Sequence, residues 1–377
     1  MSEAMRPVGV EAQPELLRVH WADGTVGEYA SVWLRDNVAE DRDAHSGQRL
    51  VDVADLPARP RLASAVIAEG AVRVTWAEES RATSYAADWL HAQAAGLRRP
   101  EQEVRHWLDG AGRNPAVDCA WLDYALLGSS DSERLRWLTR LVQEGIAFLS
   151  GVPAVDEGIL DAMRLVGRVA DTNYGLVFDV RAVARPENLA YSDLGLGLHT
   201  DNPYREPVPG FQALHTLVAA PDGGDSLFVD GYALAEHLRQ SAPDVFETLT
   251  RTPVPFGYRS ADAELYAQRP LIALDCTGQV AAVHYNNRSI GPLTLPPAEC
   301  REFYAAYRHW ALLLRETRFQ LRMHLERGEL VVFDNRRVLH GRTGFRSARH
   351  PRHLRGCYLT RDSVHGEAAL LRRRLMP

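Results

Sequence analysis

The sequence has no long apolar run and no paired cysteines. No stretch reaches the roughly 20 uncharged apolar residues that a membrane-spanning helix needs, so we expect no membrane segment. The four cysteines, Cys119, Cys276, Cys300 and Cys357, are widely separated and form no C-x-x-C pair. This pattern is typical of reduced thiols in a cytoplasmic protein and argues against a disulfide framework or a cysteine-based zinc site.

An excess of positive charge is also missing. The net charge is -6 and the pI is near 6.2, which disfavours a nucleic-acid partner because such partners require a basic face. The opening segment MSEAMRPVGVEAQPELLRV carries glutamates and prolines where a signal peptide would have an apolar stretch. We therefore expect a cytoplasmic location. No internal repeat and no low-complexity tract is evident.

Turn signals divide the chain into a predicted small domain, a linker and a large domain. Residues 1–95 contain alternating apolar and polar runs that are interrupted by Asp23-Gly24 and Glu69-Gly70. Alternation around such turns predicts hairpins, and hence a small β-rich N-terminal domain. Residues 96–119 are rich in Gly, Pro and charge, which predicts a linker. Residues 120–377 form the predicted main domain.

The main domain mixes short strands with a few helices. Helical spacing predicts a helix over 131–145 that ends at Gly145, and two more over 232–249 and 298–316. Short apolar runs predict strands in GIAFLSGVP, GFQALHTLVA, DSLFVDG, LIALDC, QVAAVHYNN, GELVVFDN and RGCYLTRD. Short strands separated by turns favour a mainly β fold, a sandwich or barrel supported by helices.

Two motifs carry the residues of a candidate iron site. His199 and Asp201 are two residues apart, so on a strand they would face the same side. His340, in D-N-R-R-V-L-H-G-R, would complete a triad from a facing strand. Two imidazoles and one carboxylate leave three adjacent positions open on Fe(II), enough for a bidentate 2-oxo acid and O2. The alternative is an incidental H-x-D among 14 histidines.

A basic residue downstream suits the far carboxylate of 2-oxoglutarate. Arg352 follows His340 by twelve residues, and its guanidinium can form a bidentate pair with a carboxylate. Arg355 is the competing candidate, and either arginine could instead be a solvated strand residue. Ser226 could donate a hydroxyl to the same carboxylate or could be an ordinary turn serine.

Nearly the whole chain resembles the taurine dioxygenase superfamily, and more closely its γ-butyrobetaine hydroxylase branch. The motifs that carry the resemblance, in order, are V-W-L-R-D-N, H-T-D-N-P-Y, P-G-F-Q-A-L-H, G-G-D-S-L-F-V-D-G and F-D-N-R-R-V-L-H-G-R. The resemblance implies a double-stranded β-helix (jelly-roll) core, a homodimer, and an Fe(II)- and 2-oxoglutarate-dependent hydroxylase that uses O2. It adds Leu214 to Arg352 and Ser226 as cosubstrate-binding residues.

The N-terminal segment departs from the family pattern. Well-known members bind zinc there through a cysteine cluster directly after the W-L-R-D-N run. Here that run continues V-A-E-D-R-D-A-H without a cysteine, and His45 alone cannot supply the four N or S ligands of a structural zinc site. We therefore predict no zinc, and a small domain that depends on its own hydrophobic core.

The family recognises a trimethylammonium group with an aromatic cage, because a quaternary cation binds ring faces and donates no hydrogen bond. Carried over residue by residue, the resemblance assigns the cage to Tyr174, Phe178, Tyr191 and Tyr358, with Phe178 where a tryptophan is usual. Rings at these positions could instead be ordinary packing.

The same resemblance places amides at the anionic end of the substrate. Asn188 and the pair Asn286-Asn287 match the carboxylate-binding positions. This chain adds Arg288, with Asn202 and Arg205 after the iron motif. An added guanidinium suits a more highly charged tetrahedral group such as a phosphonate, unless the arginines point to solvent or pair locally.

This arrangement resembles that of relatives that hydroxylate 2-trimethylaminoethylphosphonate, a quaternary ammonium organophosphonate, so we favour that substrate, with γ-butyrobetaine next. Trimethyllysine is disfavoured because Asn188 stands where an acid would suit its ammonium. A non-catalytic betaine-binding jelly-roll would not need an open-sided iron site.

Overall fold

The computed structural model describes residues 3–78, 82–94, 103–107, 121–181, 195–345 and 352–376. It divides into two compact units, Met1–Arg99 and Pro100–Pro377. The predicted linker, 96–119, lies outside the described residues except for 103–107. None of the described helices is long and apolar enough to cross a membrane.

The first unit consists of six strands and two short helices. These elements are β1 (Pro7–Gln13), β2 (Leu16–Trp21), β3 (Val26–Ala30), α1 (Ser31–Asp36), β4 (Leu62–Ala68), β5 (Ala71–Trp76), β6 (Ala82–Ala86) and α2 (Ala87–Gln93). They form two antiparallel sheets, ordered β1-β2-β3 and β4-β5-β6. Both predicted hairpins are confirmed: Gly24 turns β2 into β3 at φ 86°, and Glu69-Gly70 turns β4 into β5 at φ 51° and 77°.

The two halves of this unit repeat one pattern, so the expectation of no internal repeat is wrong. Each half is three strands followed by a helix, and Trp21, Tyr29 and Leu34 in the first half have counterparts in Trp76, Tyr85 and Leu90 in the second. The Tyr29 hydroxyl donates to the carbonyl of Leu90 at 2.8 Å, and the Tyr85 hydroxyl donates to that of Leu34 at 2.7 Å. The repeat is hard to see in the sequence because the residues that match between the two halves are mainly buried ones.

The segment after α1, where the resemblance would place zinc ligands, is held by polar side chains. Arg35 forms a 2.6 Å ion pair with Asp41, and Arg42 donates to the Asn37 side chain at 2.9 Å. His45 lies in an exposed turn. A buried cluster below them includes the following side chains: Leu17, Val19, Trp21, Leu34, Val72, Val74, Trp76 and Leu90.

The second unit contains the remaining elements. Its strands are β7 (Trp121–Asp123), β8 (Ile146–Ser150), β9 (Val169–Ala170), β10 (Phe178–Arg181), β11 (Leu196–His199), β12 (Phe211–Val218), β13 (Ser226–Asp230), β14 (Val254–Arg259), β15 (Glu264–Arg269), β16 (Ile272–Leu274), β17 (Val280–Val283), β18 (Leu321–Met323), β19 (Leu330–Asp334), β20 (Val338–Arg342) and β21 (His353–Leu359). Its helices are α3 (Tyr124–Ser129), α4 (Asp131–Glu144), α5 (Gly158–Arg164), α6 (Gly231–Ser241), α7 (Pro243–Arg251), α8 (Pro297–Leu313) and α9 (Arg361–Leu375).

Two sheets form the centre of this unit. A seven-stranded sheet has the order β10-β21-β12-β19-β8-β7, with β9 also paired to β21, and a four-stranded sheet has the order β11-β20-β13-β18. Phe228 of the smaller sheet packs against Phe148 and Phe333 of the larger one, with ring centroids 6.4 and 5.7 Å apart. The sheets therefore face each other across a buried aromatic layer, and the predicted jelly-roll with helices is confirmed.

Local signals predicted the helices well, with one correction. Helix α4 begins after Ser130, whose side chain accepts from the Glu133 amide, and ends at Gly145 in the left-handed region. The single helix predicted over 232–249 is wrong, because Pro243 starts a new helix, α7, after a break at Ala242. Helix α8 matches the third prediction but ends three residues earlier.

Candidate active site

The three predicted iron ligands come together at the four-stranded sheet. Strand β11 ends at His199, which lies directly opposite His340 of β20. The expectation that the second histidine comes from a facing strand is wrong, since the two strands are neighbours in one sheet. Asp201 lies two residues beyond β11, so a turn, and not strand alternation, places its carboxylate beside His199.

The ligand atoms of this triad converge. Nε2 of His199 lies 3.2 Å from Oδ1 of Asp201, and Nε2 of His340 lies 3.9 Å from Oδ2. One ligand atom from each residue lies within 4.8 Å of the others. Among the residues that the structure describes, no other group of three histidine, cysteine or carboxylate side chains is close enough to share a metal ion.

The surroundings prepare these groups for a metal. Nδ1 of His199 lies 2.9 Å from the carbonyl oxygen of Gly197, which can only accept, so Nδ1 carries the hydrogen and Nε2 keeps its lone pair. Burial and the adjacent His199 lower the pKa of His340 to about 3. Burial alone would raise the pKa of Asp201, but the adjacent imidazoles of His340 and His199 and the hydrogen bond from Tyr358 hold it below its ordinary value. Two imidazoles and a carboxylate fit Fe(II).

A cavity opens beside the triad. Its empty volume, including the open space at its mouth, is about 840 Å³. Its lining includes eleven residues singled out from the sequence: Tyr174, Phe178, His199, Asp201, Asn202, Leu214, Ser226, Arg288, His340, Arg352 and Tyr358. Asn286 and Asn287 are not in the lining. Tyr191 and Asn188 lie outside the described residues.

Sequence reasoning missed seven further lining residues: Val180, Leu196, Gln212, Phe228, Gly341, Arg342 and Leu354. Strand alternation could have found several of them. Arg342 is two residues after His340, and Leu354 is two residues after Arg352, so each shares a face with a residue that was recognised.

One wall of the cavity carries the candidate 2-oxoglutarate residues. Arg352 is only 6% exposed. Its side chain packs against Gly224, where an added Cβ would lie 3.0 Å from the Arg352 Cδ. Ser226 begins β13 and pairs with Arg342 of β20, and Leu214 lies on β12. Two guanidinium groups therefore lie at this wall, which favours an anion.

The competing arginine points elsewhere. Arg355 donates to the carbonyl of Asp156 at 2.7 Å and lies 3.4 Å from the carboxylate of Asp179. It does not line the cavity.

Another wall is aromatic. The Phe178 ring lies between Tyr358, at 5.1 Å, and Tyr174, at 6.4 Å between centroids. The Tyr358 hydroxyl also reaches the triad, because it donates to Oδ2 of Asp201 at 2.8 Å. The three rings of the predicted cage that fall within the described residues thus line one cavity next to the triad.

The candidate head-group residues are placed differently from one another. Arg288 lines the cavity. Asn286 is buried, and its side chain holds residues 286–288 in place. Its Nδ2 donates to the Thr200 carbonyl at 3.1 Å, and its Oδ1 accepts from the Arg288 backbone amide at 3.2 Å. Asn287 accepts from the Tyr307 hydroxyl at 2.9 Å.

Arg205 does not line the cavity, and its side chain contacts other protein groups. Its guanidinium lies over the rings of Tyr174 and Tyr204, 5.5 and 6.0 Å from their centroids, and bonds to Asn173.

A jelly-roll with a buried His-x-Asp and a distal histidine defines a class of iron oxygenases. Residues 114–358 match the taurine catabolism dioxygenase TauD, TfdA family, and residues 8–91 match the gamma-butyrobetaine hydroxylase-like N-terminal family. The chain belongs to the TauD, TfdA family, and the protein is an Fe(II)- and 2-oxoglutarate-dependent dioxygenase.

Full-length relatives support this assignment. The gamma-butyrobetaine dioxygenase of Pseudomonas sp. (strain AK-1) is 34% identical over 94% of this chain and 93% of its own. The trimethyllysine dioxygenase of Meyerozyma guilliermondii is 26% identical over 95% of this chain and 94% of its own.

Among solved structures, a taurine dioxygenase from Burkholderia xenovorans aligns with a TM-score of 0.46 and 19% identity, covering 63% of this chain and 82% of that one.

Proposed function

We propose that this enzyme hydroxylates a small trimethylammonium compound with an anionic head group, and that 2-trimethylaminoethylphosphonate is the favoured substrate. The products would be the 1-hydroxy compound, succinate and CO2. The observation that carries the proposal is a single cavity lined by an aromatic wall, the triad and the guanidinium of Arg288. A substrate with a bulky cation at one end and an anion at the other suits that lining.

His199, Asp201 and His340 would hold the iron, and Arg352, Ser226 and Leu214 would bind 2-oxoglutarate. Bound Fe(II), with 2-oxoglutarate and O2, supplies the oxidation that replaces one C–H bond by C–OH. Arg352 would pair with the far carboxylate of the cosubstrate and so orient its 2-oxo acid end toward the triad. The protein's own contribution is placement, since no residue has to act as general acid or base.

The aromatic wall would recognise the trimethylammonium group. Tyr174, Phe178 and Tyr358 line the cavity, and a fourth ring, Tyr191, is assigned by sequence alone. Methylated nitrogen attracts these faces electrostatically and gains more when water is excluded. A primary ammonium would instead lose the hydrogen bonds it makes in water.

Arg288 would receive the anionic head group. The amide of Asn286 bonds to the Thr200 carbonyl and the Arg288 backbone amide, and the amide of Asn202 bonds to Tyr358 and Tyr204, so both amides are held by protein partners. Asn287 keeps its amide nitrogen, and Asn188 stays a candidate from the sequence. With fewer neutral donors, the guanidinium becomes the main recognition group, which favours a phosphonate over a carboxylate.

γ-Butyrobetaine is the second candidate substrate. The relative from Pseudomonas sp. is named for that compound and matches at 34% identity. Trimethyllysine ranks lower. Its amino-acid head group carries an ammonium, and Arg288 would repel that charge.

The test compares substrate-triggered succinate release with 2-trimethylaminoethylphosphonate, γ-butyrobetaine and trimethyllysine. In wild type we expect the highest kcat/KM with the phosphonate. Arg288→Ala should lower that value by about tenfold or more, because a charge-assisted contact is worth ~1.5–3 kcal/mol, and should affect γ-butyrobetaine much less.

Arg205→Ala is the matched control, since it removes a nearby guanidinium that lies outside the cavity lining. It should not change the ratio of kcat/KM values for the phosphonate and γ-butyrobetaine. Equal losses on both substrates in Arg288→Ala would remove the reason for preferring the phosphonate.

A further inference from the structure

A continuous line of side-chain hydrogen bonds joins the aromatic wall to the triad. The Tyr358 hydroxyl lies 2.8 Å from Oδ2 of Asp201, and Nδ2 of Asn202 lies 3.1 Å from that hydroxyl. On its other side, Oδ1 of Asn202 lies 2.6 Å from the Tyr204 hydroxyl. The Tyr204 hydroxyl lies 3.3 Å from that of Tyr174. Four bonds thus connect a cage ring to a candidate metal ligand.

The carboxylate fixes the direction of every bond in this line. Ionised Asp201 can only accept, so the Tyr358 hydroxyl uses its one hydrogen there. Tyr358 must then accept from Asn202, which turns the Asn202 oxygen toward Tyr204. Tyr204 donates to that oxygen and must in turn accept from Tyr174. All four bonds therefore run the same way, from Tyr174 toward Asp201.

This arrangement leaves the two oxygens of Asp201 with different tasks. Oδ2 accepts from Tyr358, whereas Oδ1 faces Nε2 of His199 at 3.2 Å. The Asp201 backbone is fixed separately, because its amide donates to the Asn335 side chain at 2.7 Å and its carbonyl accepts from that side chain at 3.0 Å. With the backbone fixed, the Tyr358 hydroxyl sets the rotation of the carboxylate.

The backbone at Asn202 makes the link possible. Asn202 is 6% exposed and has φ 53°, in the left-handed region that asparagine tolerates better than most residues. Directly after Asp201, this turn brings the Asn202 amide to the same tyrosine hydroxyl that the carboxylate uses. Asp201 and Asn202, which are joined by one peptide bond, therefore both bond to the Tyr358 hydroxyl.

We propose that Tyr358 is a positioning residue for the iron centre as well as a ring of the cage. Its hydroxyl holds Oδ2 of Asp201, so that Oδ1, beside Nε2 of His199, would be the oxygen offered to the iron. The line through Asn202 and Tyr204 makes the cage and the metal ligand one hydrogen-bonded unit. A substrate that contacts the cage rings therefore also affects the position of the Asp201 carboxylate. This inference rests on the proposed iron site.

Tyr358→Phe tests the inference because it keeps the ring and removes only the hydroxyl. We expect the Kd for Fe(II), titrated without O2, to rise about tenfold, as is typical when a partner of a metal ligand is lost. Succinate formed per hydroxylated product should also rise. Tyr266→Phe is the control: it removes the hydroxyl of an exposed tyrosine outside the cavity lining, and its Kd for Fe(II) should stay within about twofold of wild type.

The outcomes separate the inference from the proposed site. If wild type and His199→Ala bind Fe(II) equally, the iron site itself is wrong. If His199→Ala loses Fe(II) while Tyr358→Phe retains wild-type affinity and wild-type coupling, the site stands and the role of Tyr358 is overturned.

A second variant covers the case in which Tyr358→Phe does not fold. Asn202→Gly suits the left-handed backbone and removes the amide that orients Tyr358. Its Kd for Fe(II) should rise several-fold, and an unchanged value would contradict the proposal.

Discussion

Gly356 decides how closely the Phe178 ring can approach the strand that carries Tyr358. The two residues are paired across β10 and β21, and an added Cβ at position 356 would lie 2.4 Å from Cε2 of Phe178. Without that Cβ, the ring lies against β21 and within 5.1 Å of the Tyr358 ring. The resemblance places a tryptophan at this position, so the position of the smaller phenylalanine ring matters more for the proposed cage.

Gly356→Ala should displace Phe178 and weaken binding of the trimethylammonium group. We expect KM for the preferred substrate to rise roughly fivefold to thirtyfold, which corresponds to the ~1–2 kcal/mol of a desolvated cation–π contact. Affinity for Fe(II) should not change, since the triad is not touched. Steady-state kinetics and Fe(II) titration measure the two effects.

Gly366→Ala provides the control, because nothing lies within 4 Å of the position where its Cβ would be placed in α9. It should leave KM unchanged. A wild-type KM in Gly356→Ala would show that Phe178 does not contribute to the cage.

At the scale of single residues, spacing and motif context predicted the candidate ligands, but not how the amides are used. His199, Asp201, His340 and Arg352 stand in recognisable local contexts. The contacts that occupy Asn286 come from Thr200, which is remote in sequence. Such long-range partners leave no local signal, so a sequence pattern cannot distinguish an available amide from an occupied one.

At the scale of elements, one carboxylate connects the start of a helix to the strand of His340. Asp230 caps α6 by accepting from the Tyr232 amide at 3.1 Å. It also accepts from Arg337, just before β20, at 2.9 and 2.7 Å, and from the Trp107 amide at 3.2 Å. Both partners of the Asp230–Arg337 ion pair are 2% exposed or less.

Asp230→Asn should destabilise the protein by about 3–5 kcal/mol, because it leaves a buried guanidinium without its counter-charge. Burial alone would raise the pKa of Asp230, but attraction and hydrogen bonds from Arg337 hold it well below its ordinary value. A lowered native pKa adds stability above the unfolded pKa of about 3.9 and loses it as the pH falls. The difference between variant and wild type should therefore be largest near pH 7 and shrink below about pH 4.

Urea unfolding at several pH values measures this difference. Asp262→Asn, at an exposed position, is the control and should stay within about 0.5 kcal/mol of wild type. A pH-independent difference for Asp230→Asn would contradict the assigned charge state.

Elements differ in how well local sequence predicts them. Helix α4 was predictable because both of its ends, Ser130 and Gly145, are encoded locally. The break between α6 and α7 was missed because the apolar spacing continues past Pro243. The pairing of β11 with β20 joins segments more than a hundred residues apart, and strand patterns do not state which strands are neighbours.

At the scale of the whole molecule, two units have different relations to the family. The first unit pairs two copies of one motif through the reciprocal contacts of Tyr29 and Tyr85, and its helix-end segment relies on ion pairs where the resemblance would place cysteines. The second unit contains every described residue of the cavity. The absence of zinc, the homodimer and the cytoplasmic location stay predictions from the sequence.

Succinate release that depends on both Fe(II) and a trimethylammonium compound tests the central claim most directly. Purified wild-type protein, supplied with Fe(II), 2-oxoglutarate and O2, should release succinate when 2-trimethylaminoethylphosphonate or γ-butyrobetaine is added, and His199→Ala should release none above background. Wild-type turnover in His199→Ala, or no response of the wild type to any trimethylammonium compound, would contradict the account.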